Sequence, residues 1–266
     1  MRTQPEPQWG LPAGQSVSFQ TVAADQAAQT LAADVAARLR QAIAARGRAV
    51  LHVSGGQSPV ALFEALRGQA LPWQLVEVSL ADERVVPADH PDSNARLVRT
   101  HLLQGPASCA RFLPLVPPSL ALPEPPSGLR AAQSAQSVPL AQLADQADLA
   151  GQALRAQGPA DVLVLGMGAD GHTASIFAGM PNLMQALDPQ GASLCLPVAR
   201  EGLPAGAPHA RITQTLAHLL TARHIVLPVH GSDKLQTLRQ ACRTRELPIS
   251  YVLHQSLAPV AVWISS

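Results

Sequence analysis

Aromatic residues make up only 3% of the 266 positions in this chain, so aliphatic side chains and alanine must build its core. Hydrophobic residues still reach 47%, which is ample for that purpose. Cysteine is confined to Cys109, Cys195 and Cys242. An odd, widely spaced set without a Cys-x-x-Cys pair indicates neither a disulfide framework nor a zinc knuckle. It reads as the reduced thiols of a cytoplasmic protein. A charge excess of one sign is also missing, for the formal net charge is +1 and no basic block or stripe occurs. Nucleic acid and anionic membrane need clustered positive charge, so neither is expected as a partner. No basic segment followed by an apolar run marks a secretory signal, and no apolar run is long enough to span a bilayer. Lysine is the sharpest deficit. Lys and Arg together number 19, yet Lys234 is the sole lysine. In a chain that uses arginine wherever it can, a surviving lysine points to a place that wants a compact ammonium on a flexible stem.

What is present is an alternation of strand and helix signals. Short apolar runs predict strands over 16–22, 49–53, 75–80, 161–165, 194–198, 224–229 and 260–264. Helical periodicity covers 24–46, 59–67, 93–103, 140–157, 212–220 and 234–242. Such alternation implies an α/β fold, a doubly wound and mostly parallel sheet with helices on both faces. Residues 1–15 read as a flexible tail and 16–266 as a single domain, with a low-complexity Pro/Ala/Gln-rich stretch around 117–140.

The chemistry gathers where predicted strands end, because ligands of open α/β sheets bind at the carboxyl ends of strands. Ser54-Gly55-Gly56-Gln57-Ser58-Pro59 joins a strand to a helix N-terminus, a place where glycines let backbone N–H groups approach an anion. It lacks the Gly-Lys-Ser/Thr ending of a Walker loop. Asp82-Glu83-Arg84 ends another strand, and Ser93-Asn94 opens the next helix, with Asn94 a capping or a binding group. The run Gly166-Met167-Gly168-Ala169-Asp170-Gly171-His172 follows a buried strand and carries an acid and a histidine on a glycine-rich turn. Its Gly-x-Gly-x-x-Gly spacing matches the dinucleotide fingerprint. The turn comes late in the chain, however, and Asp170 would repel a pyrophosphate. A histidine there can act as a base near neutral pH. No ligand spacing accompanies it, since His209, His218, His224 and His230 form no metal pattern, and no Gly-x-Ser-x-Gly elbow supplies a serine nucleophile. Arg211 at the predicted start of a helix and Lys234 after the 224–229 strand add cations at strand–helix junctions.

Taken in order, these segments resemble the 6-phosphogluconolactonase family. The matching pieces are Ser54-Gly55-Gly56-x-Ser58-Pro59, Asp82-Glu83-Arg84 with Ser93-Asn94, the turn from Gly166 through Ser175 to Phe177, Arg211-Ile212-Thr213, Gly231-x-x-Lys234 and Leu247-Pro248. Gln57-Ser58 stands where the family usually has Ser-Thr, and Ala178 where it usually has Pro. The resemblance implies the fold of the glucosamine-6-phosphate deaminases and cofactor-free, metal-free hydrolysis of 6-phospho-D-glucono-1,5-lactone. His172 would be the water-activating base, with Asp170 orienting its ring or holding a sugar hydroxyl. Ser54, Gly55, Gly56, Ser58, Asp82, Arg84, Asn94, Gly171, Arg211 and Lys234 would hold the phosphosugar lactone. The expected assembly is a monomer or weak homo-oligomer. Two other readings belong to the same kind of domain: an amino-sugar-phosphate deaminase or isomerase, and a non-catalytic sugar-phosphate regulator. The deaminase would carry tyrosine after Asp-Glu and Asn-Glu-Pro after the histidine turn, where this chain has Arg84 and Ser175-Ile176-Phe177. The regulator would need a DNA-binding helix or basic segment, which the sequence lacks.

Overall fold

The run Ala49–Val53 is buried at every position, as a strand covered on both faces requires. It is the second strand of the computed structural model, which describes residues 9–116 and 139–265. In chain order the strands are β1 (Val17–Val22), β2 (Ala49–Val53), β3 (Val76–Leu80), β4 (Asp82–Arg84), β5 (Arg111–Phe112), β6 (Val162–Val164), β7 (Cys195–Val198), β8 (Arg211–Gln214), β9 (Ile225–His230) and β10 (Val260–Ser265). The helices are α1 (Ala27–Arg46), α2 (Val60–Arg67), α3 (Asn94–His101), α4 (Leu140–Gln157), α5 (Leu183–Leu187), α6 (Leu216–Leu219), α7 (Ser232–Arg243) and α8 (Pro248–Leu253).

Seven strands form one sheet of order β1-β10-β9-β6-β2-β3-β5, and every neighbouring pair in it is parallel. The chain order crosses over repeatedly, which gives the doubly wound α/β architecture. Side chains along the central strands alternate between two cores. Leu51, Val53, Val162, Val164 and Val226 face a cluster shared with α1, α2, α3 and α4. Val50, Leu163, Leu165, Leu227 and Val262 face a second cluster built with α5, α6, α7 and α8. Each buried Leu or Val contributes about 1.5–3 kcal/mol. Aliphatic residues dominate both clusters, as the shortage of aromatics demands. Among the described residues no helix is long and apolar enough to cross a membrane.

Of the remaining three strands, β7 lies where a strand is expected over 194–198, and β8 corrects the sequence expectation. A helix was expected over 212–220, with Arg211 at its start. Instead Arg211–Gln214 is strand β8, and only Leu216–Leu219 is helical. Ile212 and Thr213 are β-branched and suit an extended, fully buried segment. Thr215 then caps the short helix, accepting from the backbone N–H of His218. Strand β8 pairs antiparallel with β4 and β7 in a small second sheet. Strand β5 and helices α5 and α8 also went unforeseen. Within the expected N-terminal tail, Trp9 stacks on Phe19 with ring centroids 4.4 Å apart. The Pro/Ala/Gln-rich stretch lies outside the described residues except at 139 and 140.

Candidate active site

The small sheet explains why two distant arginines meet. Its register sets Arg84 opposite Arg211 and Asp82 opposite Thr213. Strand β4 follows β3 after a single residue, so this sheet begins at the carboxyl end of the large one. The loop after β2 and the turn after β6 open at the same end. Between them lies a cavity of about 210 Å³ lined by Ser54, Gly55, Gly56, Ser58, Asp82, Arg84, Asn94, His172, Arg211 and Lys234, among others. Ten of the twelve candidates thus surround one space. Asp170 and Gly171 stand outside its lining.

Asp170 sits behind His172. Its Oδ1 is 2.5 Å from His172 Nδ1 and also accepts the His172 backbone N–H at 3.2 Å. The hydrogen bond to His172 holds the Asp170 carboxyl below its usual range, so at neutral pH it is an acceptor only. Nδ1 must then carry the proton, which leaves the Nε2 lone pair free to act as a base. Because the pKa is depressed, the contribution of ionised Asp170 is present above the ordinary carboxylate pKa. It is lost only as pH falls through the lowered value.

The three glycines of the fingerprint spacing have uses other than a dinucleotide. A Cβ on Gly168 would fall 2.2 Å from His172 Nδ1 and 2.5 Å from Asp170 Oδ1, so glycine makes room for that pair. Gly171 has φ of +79° and packs against Leu247. Its part is to bend the turn. Gly166 donates its N–H to Ser54 Oγ at 3.0 Å, which joins the histidine turn to the glycine loop. Ala174, on the cavity wall, has φ of +48° and is the only non-glycine residue with positive φ among the described residues. Such strain costs on the order of 1–3 kcal/mol and gathers at functional sites.

Next to Ala174, the buried Ser175 Oγ donates to Asp82 Oδ2 at 2.5 Å and accepts from Arg211 Nη1 at 3.2 Å. Arg211 is buried, and its nearest carboxylate oxygen, on Asp82, is 3.8 Å away. Phe177 lies between base and cation. Its ring stacks on His172 at 4.3 Å, and the Arg211 guanidinium is 5.4 Å from its centroid. Arg84 leans on the Asp92 carbonyl through Nη1 at 2.6 Å. The Nε atoms of Arg84 and Arg211 and the Oδ1 of Asn94 are buried without a partner. Asn94 donates to the Asp82 carbonyl at 2.8 Å, and it fits only because Gly55 has no Cβ, which would fall 1.8 Å from Oδ1.

Lys234 lies in the first turn of α7, where the helix dipole disfavours a cation. Its Nζ donates to Ser58 Oγ at 2.9 Å, and burial lowers its pKa. Both facts favour an anion beside it. Three cations and one carboxylate line the cavity, so the balance also calls for an anionic ligand.

Sequence reasoning overlooked three residues. Glu83 is 2% exposed and accepts from the backbone N–H groups of Arg84, Asn94 and Ala95 at 2.7–2.8 Å. Burial pushes its carboxyl pKa up, against those hydrogen bonds. A carboxylate ten residues before a helix start was the available signal. Ser175 and Phe177, which hold Arg211 and His172, were read as part of a motif and given no role.

The family model for glucosamine-6-phosphate isomerases/6-phosphogluconolactonase matches residues 23–263. The chain belongs to this family. Within it, the chain is 44% identical to a 6-phosphogluconolactonase of Pseudomonas aeruginosa over 93% of its length and 94% of the relative's. It is 41% identical to one of Rhizobium meliloti, over 89% and 93%. A crystal structure of a 6-phosphogluconolactonase from Shewanella baltica superposes with a TM-score of 0.79 at 37% identity, covering 97% of this chain and all of that one. The family model spans isomerases and lactonases alike; the relatives named here are lactonases, in keeping with Arg84 and Ser175-Ile176-Phe177, which stand where the deaminase pattern has other residues.

Proposed function

We propose that this chain hydrolyses 6-phospho-D-glucono-1,5-lactone to 6-phospho-D-gluconate, the lactonase step of the oxidative pentose phosphate pathway. One observation carries the reading: a histidine with a free Nε2, oriented by an ionised aspartate, faces a cavity lined by three cations. A lactone is an activated ester, and its hydrolysis needs a base for water, donors for the oxyanion and a grip on the phosphate. The 44% identity to a named lactonase supports the same substrate class.

His172 Nε2 takes a proton from water as the water oxygen bonds to C1. The carbonyl electrons move to the oxyanion, which preorganised donors stabilise by roughly 3–4 kcal/mol each. Collapse breaks the bond from C1 to the ring oxygen. The imidazolium returns its proton to that oxygen, which becomes a hydroxyl, and the new carboxyl group ionises. Atoms balance without a cofactor or metal. The glycine loop Ser54–Ser58 and Lys234 hold the phosphate, because Lys234 is tied to that loop through Ser58. Arg84 and Arg211 supply positive charge for a substrate that gains a carboxylate. Asp82 and Asn94 remain for sugar hydroxyls. Asp170 acts through His172, and Gly171 shapes the turn. The enzyme works as one catalytic domain over residues 16–266, in the cytoplasm, as a monomer or weak homo-oligomer, without nucleic-acid or membrane partners.

Calorimetric titration tests the phosphate grip. 6-Phosphogluconate should bind wild type well and gluconate far more weakly. Lys234→Ala should weaken 6-phosphogluconate by about 10–100-fold, the worth of one charge-assisted hydrogen bond. Equal affinity for gluconate and its phosphate would remove the phosphate site, and ammonia release from glucosamine 6-phosphate would favour the deaminase reading.

A further inference from the structure

Beside the cavity, and taking no part in the reaction above, His90, Asp92 and His209 bring one ligand atom each within 4.8 Å of one another. His209 Nε2 is 2.7 Å from Asp92 Oδ2, and His90 Nδ1 is 3.9 Å from the same oxygen. The two imidazoles meet edge to face with centroids 5.1 Å apart. The backbone N–H of Asp92 donates to His90 Nδ1 at 3.1 Å, so Nδ1 is the unprotonated nitrogen, and an ion bound there takes the place of that hydrogen bond. Asp92 is exposed and both histidines are half-buried, so solvent ions reach them.

Two imidazoles and a carboxylate form a donor set suited to zinc and its neighbours among divalent transition ions. A tetrahedral zinc with bonds of about 2.0–2.1 Å keeps its ligand atoms roughly 3.3 Å apart. The observed 2.7 and 3.9 Å bracket that value, within reach of small side-chain rotations. We propose that His90, Asp92 and His209 form a three-ligand site for a divalent ion of the zinc class, with water completing the tetrahedron. The ion joins two segments far apart in sequence. One, between β4 and α3, carries His90 and Asp92; the other, before β8, carries His209 two residues ahead of Arg211. Because Arg84 leans on the Asp92 carbonyl, a bound ion also steadies the segment that supports a cavity arginine.

The site stands apart from the lactonase reading, and its failure would leave that reading intact. The test is calorimetric titration of the full chain with zinc chloride, for wild type and for His90→Ala, His209→Ala and His172→Ala. Wild type and His172→Ala are expected to bind one zinc in a saturable isotherm, and the other two variants to lose it. Zinc should raise the thermal midpoint of wild type and leave that of His209→Ala unchanged, since only a ligand bound to the folded state stabilises it. If His209→Ala fails to fold, His90→Ala on the other segment carries the same expectation. Absence of saturable binding to wild type overturns the proposal. So does loss in His172→Ala with retention in His209→Ala, which would put the ion on the His172–Asp170 pair.

Discussion

Replacing His172 with alanine is expected to lower kcat for 6-phosphogluconolactone by at least about 100-fold, the lower range for a positioned general base. Binding of 6-phosphogluconate should survive, because the cations and the glycine loop remain. Asp170→Asn is expected to lower kcat with little change in KM. An amide can donate as well as accept, so it no longer fixes the tautomer that frees Nε2. The two variants together should cost little more than His172→Ala alone, since Asp170 acts through the ring. Stopped-flow measurement on freshly generated lactone reads both constants against spontaneous hydrolysis. Undiminished kcat in His172→Ala would end the general-base role.

The second large effect is on stability. Glu83→Ala is expected to destabilise the fold by about 3 kcal/mol or more, because each buried donor left unsatisfied costs roughly 1–3 kcal/mol. Three backbone N–H groups lose their acceptor at once. These bonds pin the start of α3 to β4, so Asp82, Arg84 and Asn94 should lose their placement together. Glu83→Gln keeps an acceptor oxygen and should cost less. Denaturant unfolding distinguishes the two, and a Glu83→Ala midpoint equal to that of wild type would contradict this view of the carboxylate.

The large sheet was legible because its strands are short apolar runs bounded by glycines and polar residues, the run Ala49–Val53 above all. The small sheet was not. Ile212 and Thr213 favour extension, but Leu216 and Leu219 continue an apparent helical period, and local pattern cannot show that Arg211–Gln214 pairs with residues far earlier. Strand β5 spans only Arg111–Phe112, too short to leave a period. At the site, residue types at strand ends marked His172, Lys234 and the glycine loop. The unusual scarcity of lysine singled out Lys234 more sharply than any motif.

Other features arise only in the folded chain. By spacing Gly168 belongs to the dinucleotide fingerprint, whereas in the fold it lets His172 and Asp170 lie close together. Glu83 lay inside a quoted motif, but its burial and its three backbone partners depend on how β4 meets α3. The histidine–aspartate cluster depends on the fold in the same way. His209 and Asp92 are 117 residues apart and meet only through the fold, while metal-site reasoning from sequence relies on short spacings.

Acceleration of phosphorylated-lactone hydrolysis is the property on which the proposed function rests. The most direct measurement is the first-order rate of loss of freshly generated 6-phospho-D-glucono-1,5-lactone at mildly acidic pH, with enzyme and without it, beside unphosphorylated gluconolactone. Strong acceleration is expected for the phosphorylated lactone and little for the other. A rate equal to the spontaneous one, or equal acceleration of both lactones, would contradict the proposed function.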